Sequence, residues 1–171
     1  MDAIFFHDED KEYGCFSNWY PCSFTVDGIS YTSTEQYMMH SKAVLFGDLE
    51  TAGRITATDD VAEIKALGRT AHGFDPAMWQ AMRESVVERG VLEKFLQNPD
   101  LARVLLSTGD AVLAEAAAKD QVWGIGLGMQ DSEKEDASNW RGENLLGQCL
   151  MNVRTALRAM QGCSRGIGEE G

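Results

Sequence analysis

Apolar residues come in short strand-like bursts at the start of the chain and at helical spacing after it. Ala3-Ile4-Phe5-Phe6 reads as a strand. Phe24-Thr25-Val26 and Ile29-Ser30-Tyr31 flank Asp27-Gly28, a two-residue pair suited to a β-hairpin turn. From residue 32 the pattern turns helical. Thr32-Ser33-Thr34-Glu35 fits a capping box, with Thr32 as cap and Glu35 three residues on. A helix follows through Gln36 to Phe46, stopped by Gly47, and two more cover Leu49 to Ile55 and Thr58-Asp59-Asp60 to Gly68. Asp75-Pro76 sets a cap before a proline at the first helical position. The helix behind it reaches about Phe95, with Met78, Met82 and Val86 on its apolar face and Gly90 as a potential break. Asn98-Pro99 opens another helix through Leu105 or Leu106. Ala111 to Glu115 reads as a strand, although its alanines also permit helix. Residues 124–128 are too glycine-rich for a helix interior, and 129–143 are polar and expected to loop. The last helix is expected over Leu145 to Met160, with a disordered tail over 161–171 that lacks an anchoring apolar cluster.

This order predicts an α+β fold, mainly helical, with a small antiparallel sheet from the N-terminal half, as a single domain over 1–160. Fifteen Lys and Arg against 27 Asp and Glu leave a net charge of −12, which argues against wide, sequence-independent binding of nucleic acid. It leaves room for a small basic pocket. No apolar run approaches the roughly 18 residues that cross a bilayer, and the first residues lack the basic and apolar regions of a secretory signal. The expected setting is therefore the cytoplasm, with no membrane partner. Cys15, Cys22, Cys149 and Cys163 form no CxxC pair, and His7, His40 and His72 show no ligand spacing. Free thiols are expected, with no metal and no cofactor.

Four stretches carry candidate chemistry. The first runs Phe16-Ser17-Asn18-Trp19-Tyr20-Pro21, then Ser33-Thr34-Glu35-Gln36-Tyr37 up to Lys42-Ala43. The second is Lys94-Phe95-Leu96-Gln97-Asn98, then Leu105 to Asp110. The third is Asp120-Gln121-Val122-Trp123-Gly124-Ile125-Gly126, and the fourth is Gly142-Glu143-Asn144-Leu145-Leu146-Gly147, then Leu150 to Arg154. In this order and spacing they resemble the NADAR (YbiA-like) family over about Phe5 to Arg158. The resemblance implies a YbiA-like fold and an N-glycosidase, a hydrolase of N-glycosyl compounds. It also implies two substrate types: ribosylamino-pyrimidine phosphates of early riboflavin synthesis, and ADP-ribose attached to guanine, with transient contact to ADP-ribosylated DNA. Glu35 and Lys42 match the family's catalytic pair.

The residues can be read on their own chemistry as well. Glu35 and Lys42 lie seven apart, two turns along one helix face, with Met38 and Met39 between. Cleaving an N-riboside develops oxocarbenium character at the sugar carbon. A carboxylate there can stabilise charge or move a proton to the leaving nitrogen. A desolvated lysine loses its proton more readily and can attack the carbon to form a Schiff base. The plainer alternatives are that Glu35 closes the capping box and that Lys42 is solvated. Asp120 can bond a ribose hydroxyl or orient Lys42, or simply cap a turn. Trp123 can stack on a base, worth roughly 1–3 kcal/mol, or belong to the core. Gly124 and Gly126 suggest a close backbone approach or a positive φ, and the context is wrong for a dinucleotide fingerprint. Asn144 suits an N-cap whose helix amides could hold a phosphate beside Arg141, or is a plain cap beside a surface arginine. Ser17 and Asn18 offer polar contacts to sugar or base, or turn chemistry before Pro21. The rival from another class is a non-catalytic binder of ADP-ribose or a related nucleotide, which the Glu35–Lys42 pair opposes.

Overall fold

The computed structural model describes residues 2–166, the side chains of 163–166 excepted. The chain divides into two compact units: Asn18–Asn98 forms one, and the chain up to Ser17 with the chain from Pro99 forms the other.

The continuous unit begins with the hairpin of β2 (Phe24–Val26) and β3 (Ile29–Tyr31), antiparallel and in the register set by its two-residue turn. Asp27 and Gly28 both take positive φ, the geometry that such a turn demands. Four helices follow: α1 (Thr34–Leu45), α2 (Leu49–Thr56), α3 (Val61–Arg69) and α4 (Pro76–Gln97). The buried residues of α4 are Val87, Gly90, Val91, Lys94 and Phe95, an i, i+3, i+4, i+7, i+8 stripe. Met78 and Met82, expected in the core, are 47% and 41% exposed. They sit on the first turns of α4, ahead of that stripe. Gly90 does not break the helix. A Cβ there would lie 2.3 Å from the Tyr37 ring, so the missing side chain is what lets α4 approach α1. Phe24, Val26, Tyr31 and Tyr37 form one core cluster of this unit.

The discontinuous unit pairs β1 (Ala3–Phe6) with β4 (Val112–Glu115), a parallel two-stranded sheet. The antiparallel sheet that the pattern predicted is the hairpin; this parallel pair is additional, because its partners lie too far apart in sequence for local signals to reveal. The same unit holds α5 (Pro99–Ser107) and α6 (Leu145–Gly166). Ala114, Ala116, Ile125 and Leu127 pack together, with Phe5 and Trp140 against them. The final helix passes the expected end at Met160 by six residues. The remainder of the expected tail, 167–171, lies outside the described residues.

Candidate active site

The N-terminus of α1 differs by one residue from the expected cap. Ser33, not Thr32, is the N-cap, and its hydroxyl accepts from the Gln36 backbone N–H at 3.1 Å. Gln36 reaches back, its Oε1 accepting from the Thr32 N–H at 2.7 Å. The cap pair is therefore Ser33 and Gln36, and Glu35 is not needed to close it. Gln36 also donates to Ile55 O and Thr58 O, which ties α1 to the end of α2. Glu35 is 3% exposed, and its backbone N–H donates to Asn18 O at 2.8 Å. Beside it, the Asn18 Oδ1 and Thr34 Oγ1 atoms are buried without a hydrogen-bond partner. An orphaned buried oxygen costs desolvation energy, and one of the two belongs to the residue just before Glu35 and the other to the residue that accepts its backbone N–H.

Two turns on, Lys42 is half-buried. Its Nζ donates to Gly68 O at 2.9 Å and lies 4.4 Å from the Phe74 ring centroid and 5.9 Å from that of Trp79. Burial pulls the Lys42 ammonium below the ordinary lysine value; Glu35 opposes this as a nearby anion, and Arg69 adds to it as a nearby cation. Seven positions apart on α1, Glu35 and Lys42 stand two helical turns from each other. A loop anchored by Asp48 carries Phe74. The buried Asp48 caps α2 through Thr51 N–H and also accepts from the His72 backbone N–H at 2.8 Å. Those donors hold its carboxyl far below the usual carboxylate range.

The other predicted site residues fall in the discontinuous unit, Asn18 apart. The Asp120 Oδ1 accepts from Val122 N–H at 2.9 Å and Trp123 N–H at 2.8 Å, an Asx-type turn, so one of its oxygens has the turn-capping role. The ring that follows, Trp123, is partly exposed. Gly124 allows a close approach, since a Cβ would meet Ala117 Cβ at 2.9 Å, and Gly126 has φ +70°. Ser17 is buried at the end of a 3-10 turn over Gly14–Phe16. Asn144 has its side chain engaged within its own unit. It has φ 55°, and its side chain spans β4, with Oδ1 accepting from Glu115 N–H and Nδ2 donating to Leu113 O. The amides of Asn144, Leu145 and Leu146 donate to Gly124 O, Val122 O and Trp123 O. With those donors engaged, the helix start offers no ready anion nest. Arg141, expected beside it, is paired with Glu133 at 2.9 Å.

Sequence reasoning missed several residues. Phe74 and Trp79 lie outside the four stretches yet bracket the Lys42 amine. Lys94 was quoted but given no role; it is 1% exposed, with its Nζ 5.4 Å from the Tyr20 ring. The signal was available, because Lys94 stands at i+7 from Val87 on the apolar stripe, where a lysine is out of place.

The NADAR domain matches residues 4–158. The chain belongs to the NADAR domain family. An N-glycosidase of Acanthamoeba polyphaga mimivirus is 40% identical over 159 residues, spanning 88% of this chain and 94% of that one. A riboflavin biosynthesis protein of Vibrio vulnificus is 36% identical across 91% of this chain and 38% of its own length. The NMR structure of the E. coli protein YbiA superposes with a TM-score of 0.78 at 27% identity, covering 94% of this chain and 88% of that one. The mainly helical α+β fold is thus YbiA-like. Family membership and relatives named as N-glycosidases assign this NADAR protein to the hydrolases of N-glycosyl compounds. Among the described residues, no helix is long and apolar enough to cross a membrane.

Proposed function

We propose that this N-glycosidase releases the base from a phosphorylated N-riboside of the ribosylamino-pyrimidine class, in the cytoplasm and within one catalytic domain over 1–160. The observation that carries the reading is the Lys42 amine: half-buried, low in pKa, lodged against Gly68 O and two rings, and sharing a helix face with buried Glu35. In its neutral form Lys42 adds to the anomeric carbon of the ring-opened substrate. The bond from that carbon to the base nitrogen breaks as Glu35 delivers a proton to the leaving nitrogen, which leaves a lysyl imine. Water then adds to the imine, its proton returns to the carboxylate, and the aldose leaves with the lysine restored. Phe74 and Trp79 supply apolar faces beside the reacting amine, and Asn18, whose backbone O accepts from the Glu35 N–H, carries a buried side-chain oxygen without a partner. Within the other unit taken by itself, Asp120 and Gly124 hold a turn that carries the partly exposed Trp123 ring, a surface suited to stacking on a flat base, while Ser17, Arg141 and Asn144 lie elsewhere in that unit.

The similarity to a riboflavin biosynthesis protein favours the pyrimidine phosphate over ADP-ribosylated guanine. The net charge of −12 points the same way, since it repels DNA. The test supplies both substrates at matched concentration and follows free base. Faster cleavage of the pyrimidine phosphate is expected, with Lys42→Ala slowing it by about 100-fold or more and borohydride trapping a sugar on Lys42 in the wild type. Full activity in Lys42→Ala removes the lysine from the mechanism. Tight nucleotide binding with no product from any N-riboside favours a non-catalytic binder.

A further inference from the structure

The phosphate of such a substrate needs a cationic partner, and the helix start at Asn144 does not offer one. The molecule carries 15 cationic side chains against 27 acidic ones. Most of the basic residues seen in ion pairs are exposed and sit beside an acid: Lys11 with Asp10, Arg89 with Asp27, Arg103 with Asp100, Arg158 with Asp110. Among the described residues, Lys65 and Arg69 make no ion pair. They lie one turn apart on α3, and with Gly68 they occupy positions i, i+3 and i+4, so all three share one face. The Gly68 carbonyl accepts from the Lys42 amine at 2.9 Å, which brings that amine to the C-terminal end of α3. The Lys65 Nζ lies 5.4 Å from the centroid of the partly exposed Trp19 ring. Arg69 is near enough to act on the Lys42 amine as a like charge.

Cations in the last turn of a helix also complement its dipole, and that alone would account for Arg69. It does not account for Lys65 and Arg69 standing one turn apart without an ion-pair partner, Lys65 beside an aromatic ring, in so acidic a chain. Like charges repel, so such a group is costly unless an anion joins it. We infer that Lys65 and Arg69, with Trp19 beside them, form an anion subsite that holds the phosphate of the N-riboside while Lys42 reaches its sugar carbon. This rests on the N-glycosidase reading of Lys42. The subsite's ligand class is a sugar phosphate: Arg69 offers a planar fork for two phosphate oxygens and Lys65 a point charge.

Two measurements test the subsite, one without catalysis. Calorimetry with ribose 5-phosphate, and with ribose as its control, reads binding directly. Tighter binding of ribose 5-phosphate is expected, and each of Lys65→Ala and Arg69→Ala should weaken it by about tenfold. The exposed Lys119→Ala should leave it unchanged, which separates local contact from net charge. In kinetics, both variants should collapse the preference in KM for a phosphorylated over a dephosphorylated N-riboside. Equal binding of ribose and ribose 5-phosphate, or a preference untouched by both substitutions, overturns the subsite even if the enzyme cleaves N-ribosides. Binding of ribose 5-phosphate that depends on Lys65 and Arg69, in a protein that cleaves nothing, upholds the subsite and sinks the glycosidase reading of Lys42.

Discussion

At the scale of the residue, chemistry turns on how water meets one amine. Phe74 acts on Lys42 in two opposing ways. Its ring face attracts the charged form, worth about 0.5–1 kcal/mol at an exposed site, and its bulk excludes water, which favours the neutral form. The Lys42 pKa lies low with burial as the largest cause, and the Phe74 ring stands 4.4 Å from the amine. The rate should therefore climb with pH as the amine loses its proton, with a midpoint below the ordinary lysine range. Phe74→Ala should move that limb to higher pH; a shift to lower pH in the kcat/KM profile would show the ring attraction to be the larger effect. The same displacement affects stability. Between its folded and unfolded pKa the unfolded chain binds more protons at Lys42, so across that window stability rises with pH. Glu35 and Lys42 were legible as a pair because seven residues of helix place two side chains on one face. Phe74 was not, because a loop brings it there, and nothing in residues 70–75 announces that Asp48 will anchor them.

At the scale of the element, close approach sets the strongest constraints. A Cβ on Gly147 would lie 2.1 Å from Leu113 O, a backbone atom of β4 that cannot step aside. A Cβ on Gly68 would lie 2.0 Å from Met39 Sδ and 2.9 Å from its Cβ, a clash mostly with the movable part of a side chain. Gly147→Ala is expected to destabilise by about 3 kcal/mol and Gly68→Ala by about 1 kcal/mol, read as denaturant midpoints at constant slope. Equal losses would mean that the α6 start can move as readily as a methionine. The helices and the hairpin could be read from pattern, since caps, Asp-Gly and Asp-Pro act within a few residues. The cap of α1 was misplaced by one position because Ser33 and Gln36 make as good a pair as Thr32 and Glu35. Asn144 was recognised as a helix start but not as the clamp on β4, a contact that spans 31 positions to Leu113.

At the scale of the whole molecule, charge governs which substrates can approach. With −12 overall and two cations without an ion-pair partner on α3, a small phosphorylated riboside meets local attraction while a DNA strand meets general repulsion. Raising salt from about 0.05 to 0.3 M, which shortens the Debye length from about 14 to 6 Å, should lower kcat/KM for the small substrate and raise it for guanine-linked ADP-ribose on DNA. A fall for both would place DNA contacts on a basic surface that outweighs the acidic whole. The mainly helical α+β class was legible from periodicity; the division into two units was not, because composition does not change at Ser17 or Asn98. The pairing of β1 with β4 has one more consequence, for the order of events at the ribosome. The stretch that ends at Asn98 can complete its own contacts as soon as it emerges, whereas Ile4, Phe5 and Phe6 wait for Leu113 to Glu115 to be synthesised. A strand made before the hairpin is thus paired only after it, and a stalled chain would leave that apolar segment bare.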